Sequence, residues 1–133
     1  MKISASVHNS GGVYEVVVQT NDTIRSVASP SKPSGFGSSI NGGELLLLAL
    51  ATCYCNDIYR EAGRRGIKVT TVEVTADGTF GADGEPALEI SYRANVQAEA
   101  DNSGIRDLMI HTDRVAEIQN TLRAGVSVKL EGT

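Results

Sequence analysis

Apolar and polar positions alternate along the first part of this chain, give way to a nearly unbroken apolar run, and alternate again beyond it. Residues 2–20, KISASVHNSGGVYEVVVQT, hold two β-rich runs around Asn9-Ser10-Gly11-Gly12. Period-two alternation on either side of a Gly-Gly step predicts a hairpin. Its second strand carries Val13, Glu15, Val17 and Gln19 on one face and Tyr14, Val16, Val18 and Thr20 on the other. Residues 21–28, NDTIRSVA, give a third short strand, and the proline-, glycine- and serine-rich residues 29–43 form a loop.

Residues 44–66 read ELLLLALATCYCNDIYREAGRRG. They predict a helix over about residues 44–65, apolar on nearly every side as far as Cys55 and amphipathic after it. A helix of that character sits inside a fold with other elements around it. Arg64 and Arg65 suit the negative end of its dipole, and Gly66 supplies the cap. Residues 67–100 give two strands around an Asp83-Gly84 turn. Ser103 then caps a second helix whose Ile105, Leu108, Met109, Thr112, Ala116, Gln119 and Leu122 share one stripe. Gly125 stops it, and VSVKLEG, residues 126–132, makes a final strand. Antiparallel sheet with helices on one side is the α+β class. A chain this small cannot easily cover a helix that is apolar on most faces, so a homodimer is expected.

Composition narrows the picture without changing it. A length of 133 residues predicts one domain, residues 1–133. At 41% apolar and 21% charged, with no Trp and 5% aromatic residues, the core must rest on Leu, Val, Ile and Ala. A net charge of −4 argues against a basic nucleic-acid face. No run of about 18 apolar residues is present to span a membrane. The Met1-Lys2-Ile3 start lacks a signal-peptide pattern. Two cysteines two positions apart build no disulfide framework, so a cytoplasmic protein with reduced thiols is expected.

The loop, the segment GGELLLLALATCY, the strand pair and the second-helix ending TLRAGVSV together resemble the OsmC/Ohr family over nearly the whole chain. These are osmotically inducible and organic-hydroperoxide-resistance proteins. The resemblance implies an OsmC-like α+β fold of antiparallel sheets, with a long buried central helix and a second shorter helix. It also implies an intertwined homodimer with a thiol site at the interface, and reduction of organic hydroperoxides in oxidative-stress defence. By the same resemblance LATCY aligns Cys53 with the peroxidatic cysteine. The family's resolving cysteine falls on Ala116, its glutamate on Gly43 beside Glu44, and its hairpin arginine has no match before Arg25. The catalytic set carried over is therefore Cys53, Glu44 and Arg25, with an external thiol as resolver and no cofactor.

The residues themselves temper this. Peroxide chemistry at sulfur needs a thiolate, a group that stabilises it and a thiol that resolves the sulfenic acid. Cys53 lies mid-helix, where its own helix dipole gives no help, and Asp57 four residues on disfavours a thiolate while Arg60 offsets it. Cys55 points about 200° away around the helix and reads as filler. His8 and His111 have no metal-ligand spacing with the cysteines, so no metal is expected. Glu61, Arg64 and Arg65 read as a solvated helix end, and GTFGADG, residues 78–84, as a hairpin and not a phosphate loop. Two readings follow: a one-cysteine hydroperoxide reductase acting through Cys53, or a non-catalytic dimer that binds a hydrophobic small molecule in its interface pocket.

Overall fold

A computed structural model describes residues Met1–Thr133. The elements run β1 (Ile3–Ser10), β2 (Val13–Thr20), β3 (Thr23–Val27), α1 (Gly42–Arg64), β4 (Val69–Phe80), β5 (Ala87–Ala98), α2 (Asn102–Val115) and α3 (Glu117–Ala124). The class is mixed α+β with antiparallel sheets, as expected. No helix is long and apolar enough to cross a membrane. The chain divides into two compact units, Met1–Leu45 and Leu46–Thr133.

In the first unit β1, β2 and β3 form one antiparallel sheet in that order. Ser10 pairs with Val13 across Gly11 and Gly12, both at positive φ, so the Gly-Gly step turns the hairpin where the pattern put it. Asn21, at φ 49, makes the next turn, and asparagine bears that backbone better than most side chains. Asn9 ties the loop to the hairpin, its Oδ1 accepting from Gly37 N at 2.8 Å.

In the second unit β4 and β5 form a two-stranded ribbon whose turn includes Gly84 at φ 83. The core is Tyr54, Ile58 and Ala62 of α1, Val96 of β5, Leu108 of α2, and Ala116, with Cys53 packed at its edge. α1 ends as its sequence demands: Gly66 is left-handed, and Ile67 N donates to Ala62 O at 2.9 Å. Its burial is uneven. Leu50, Tyr54, Asp57, Ile58, Glu61 and Ala62 are buried, whereas Leu45 and Leu48 are 45% and 59% exposed in the single chain.

Three expectations are corrected. The second helix is not continuous, because Ala116 adopts an extended backbone (φ −72, ψ 113) that separates α2 from α3. Its start is capped by Asp101, whose Oδ1 accepts from Gly104 N at 2.7 Å, and not by Ser103. The apolar stripe runs through the break, with Leu108, Thr112, Ala116 and Gln119 all buried, so the periodicity conceals it. The final strand is also absent. Residues 126–132 keep the alternation but find no strand partner within the chain, and Val126, Val128 and Leu130 are exposed.

Candidate active site

Cys53 occupies the middle of α1, partly buried, and both cysteines are free thiols. Its sulfur meets three groups. The thiol lies 3.5 Å from Asp57 Oδ2 and 3.8 Å from Glu117 Oε2 and can donate to either carboxylate. The backbone N–H of Ile118, in the first turn of α3, favours a thiolate at this sulfur. Asp57 is there because residues four apart share a helix face. Glu117 and Ile118 are there because the bend at Ala116 starts a new helix against the sulfur. The dipole contribution excluded for α1 thus enters from another helix. That start could have been found only by recognising a break without glycine or proline, and the continuing stripe gave no sign of one.

These neighbours oppose one another. Burial pushes the Cys53 thiol up, the Ile118 N–H pulls it down, and the Asp57 and Glu117 charges push it up again, for a net upward shift. Asp57, only 5% exposed, is raised by burial and by the neighbouring Glu117 carboxylate, against the pull of Arg60. Glu117 is lowered, chiefly by its own backbone N–H. Asp57, shifted upward and the nearer of the two carboxyls to the sulfur, is suited to carry the thiol proton.

Arg60 binds the acidic pair together. Its Nη1 lies 2.9 Å from Asp57 Oδ1 and 3.0 Å from Glu117 Oε1, and its Nε donates to Glu61 Oε1 at 2.9 Å. Glu61 was expected at a solvated helix end. It is 3% exposed, and also accepts from Arg64 Nη1 at 2.9 Å and from the His111 Nε2–H at 3.1 Å. Three cationic or N–H-bearing partners compensate its burial, which a carboxylate cannot bear alone. Cys53, Asp57 and Glu117 bring their ligand atoms within 4.8 Å of one another, but the positive charge between the two carboxylates is Arg60's.

The other expected residues lie elsewhere. Arg25 sits exposed on β3 in the first unit, where Arg25 pairs with Val18 across the sheet. Glu44 is used in the first turn of α1, its Oε1 accepting from Asn41 N at 3.2 Å while Asn41 Oδ1 accepts from Glu44 N at 2.8 Å. Gly43 is the neighbouring helical position, and Ala116 is fully buried between α2 and α3. Cys55 takes no part in the thiol network, and His8 lies on β1 opposite Glu15.

A separate open cleft of about 320 Å³ lies in the second unit, its wall mixing Leu50, Leu88, Ile90 and Leu122 with Glu89 and Arg123. Gln119 also lines it. Its Nε2 donates to Leu50 O at 3.0 Å, and its Oε1 is buried without a partner.

Comparison with known proteins gives a consistent answer. A family model described as OsmC-like protein matches residues 35–131. Among solved structures, an organic hydroperoxide resistance protein from Elizabethkingia anophelis is 22% identical with a TM-score of 0.63, covering 98% of this chain and 94% of that one. An organic hydroperoxide resistance protein OsmC from Legionella pneumophila is 19% identical with a TM-score of 0.60, covering 98% and 95%. An OsmC-like protein from Mycoplasma pneumoniae is 16% identical with a TM-score of 0.64, covering 92% and 86%. At these identities the likeness is one of fold. No functionally curated protein matches the sequence.

Proposed function

The chain belongs to the OsmC-like protein family, and from that premise we propose that it reduces organic hydroperoxides through Cys53, using external thiols to complete the cycle. The observation that carries this reading is the partly buried Cys53 thiol, bonded to a carboxylate pair that Arg60 holds and facing the Ile118 N–H. The hydroperoxide resistance proteins of similar fold support it. In the proposal Arg60 takes the role that the resemblance gives Arg25, and Asp57 that of Glu44.

The reaction runs in three steps. Asp57 accepts the thiol proton, and the Cys53 thiolate attacks the terminal peroxide oxygen. The O–O bond breaks, and the leaving alkoxide takes the proton from Asp57 and departs as the alcohol. Cys53 is then a sulfenic acid. With Ala116 where a second thiol would stand, an external thiol attacks that sulfur and expels water. A second external thiol releases Cys53 as the thiol and leaves as a disulfide. One hydroperoxide becomes one alcohol and one water, and two external thiols are oxidised. A reducing cytoplasm supplies such thiols.

The protein is proposed to act as a homodimer. Leu45, Leu48, Thr52, Asn56, Tyr59 and Gly63 make an exposed stripe along α1, and a stripe containing leucines at that spacing suits a second copy. Consumption of an organic hydroperoxide in the presence of a small dithiol tests the catalytic claim. We expect turnover in the native protein and its loss in Cys53→Ser; equal rates in both would reject it.

The leucine-lined part of this cleft favours a second reading, a non-catalytic dimer that binds a hydrophobic small molecule. Ligand-induced thermal stabilisation in Cys53→Ser, without turnover in the native protein, would favour this alternative.

A further inference from the structure

We infer that Glu61 is a positioning residue for the thiol site: it never touches the sulfur, but fixes the Arg60 guanidinium so that Nη1 stays between Asp57 and Glu117. The inference rests on the reading of Cys53 as the reactive thiol. The geometry is specific. A guanidinium is a planar fork, so holding one side of it fixes the direction of the other. Glu61 Oε1 takes the Nε side at 2.9 Å, and the Nη1 that remains reaches Asp57 Oδ1 at 2.9 Å and Glu117 Oε1 at 3.0 Å. Arg60 is itself one-third exposed on its side chain and can swing into solvent unless held, whereas Glu61 is buried.

Glu61 in turn is held from two elements. Arg64 of α1 binds Oε1, and His111 of α2 donates to Oε2. The remaining charged groups at this end are Arg65, Asp107 and Arg114, which line the surface cleft beside His111. Facing the sulfur itself are Asp57 from α1 and Glu117 with the Ile118 N–H from α3. The connected path is therefore His111, Glu61, Arg60, the carboxylate pair and Cys53. When Arg60 is placed, its single positive charge offsets part of the charge of the two carboxylates that oppose thiolate formation. When it swings out, their full charge falls on the sulfur.

The test is the pH midpoint of Cys53 alkylation, measured in Cys55→Ser protein so that one thiol reports. It needs no peroxide. Arg60→Met is expected to raise the midpoint by about one unit, and Glu61→Gln by about half a unit, a roughly threefold loss of reactivity near neutrality. The deciding result is non-additivity: in the Arg60→Met background, Glu61→Gln adds nothing, because it acts only through Arg60. His111→Gln, at a half-exposed position, gives a smaller shift in the same direction and serves should Glu61→Gln fail to fold. Equal shifts with and without Arg60, or no shift in both Glu61→Gln and His111→Gln, would overturn the inference. Failure of the functional reading is separate: absent hydroperoxide turnover together with these non-additive shifts rejects the peroxidase and keeps the positioning role.

Discussion

The two halves of α1 treat their residues in opposite ways. The first half is rich in leucine and alanine, yet Leu45 and Leu48 face solvent in the single chain. The second half carries Asp57 and Glu61, both buried. The ordinary preference puts leucine inside and carboxylates outside, so each half needs its own explanation. In the second half the explanation is local. Arg60, Arg64 and His111 surround the carboxylates, and Ile58 and Ala62 anchor the helix in the core. In the first half nothing local compensates, and the proposed homodimer is the explanation offered for it. One helix thus combines a segment whose buried charges are compensated within the chain with a segment whose leucines are left exposed in it.

The largest expected effect that breaks this contrast is in the core. Ile58→Ala should cost about 2–5 kcal/mol by denaturant unfolding, since Ile58 is fully buried against Leu108 and Ala116. Leu48→Glu tests the other half. It should weaken self-association about 100-fold in sedimentation, or about 2.7 kcal/mol, while leaving the fold by circular dichroism. An unchanged association constant would remove the explanation offered for the exposed leucines.

Smaller effects sharpen the chemical half. Burial and two carboxylates hold the Cys53 thiol above its ordinary range, so its alkylation rate should still be climbing above about pH 8.5. Removing one opposing charge works the other way. Glu117→Gln should lower the alkylation midpoint and speed the reaction near neutrality about twofold to fivefold. A higher midpoint would mean that Glu117 matters more by holding Arg60 than by its own charge. Smallest of all, Cys55→Ser should leave hydroperoxide turnover within about twofold, because no partner links Cys55 to the network.

Much of the fold was legible because it rests on local rules. Gly11-Gly12 marks one turn, Asp83-Gly84 another, and Gly66 ends α1. Of the site, the α1 contribution was legible: Asp57 and Arg60 follow from helical spacing to Cys53. Glu117, Ile118 and His111 were not, for a physical reason. The break at Ala116 is made by an ordinary residue taking an extended backbone, and neither glycine, proline nor a change in periodicity announces it. The burial of Glu61 was equally hidden, since His111, its partner across the core, lies fifty residues further on. The terminal alternation Val126, Val128 and Leu130 reads as a strand, but a strand needs an edge to join, which sequence alternation does not supply.

The most direct test of the account is to map the oxidised atom. Reduced protein is exposed to one equivalent of an organic hydroperoxide with a sulfenic-acid trap, digested, and read by mass spectrometry. The account predicts the adduct on Cys53, absent in Cys53→Ser and retained in Cys55→Ser. An adduct on Cys55, or none on either cysteine while the hydroperoxide is consumed, would contradict it.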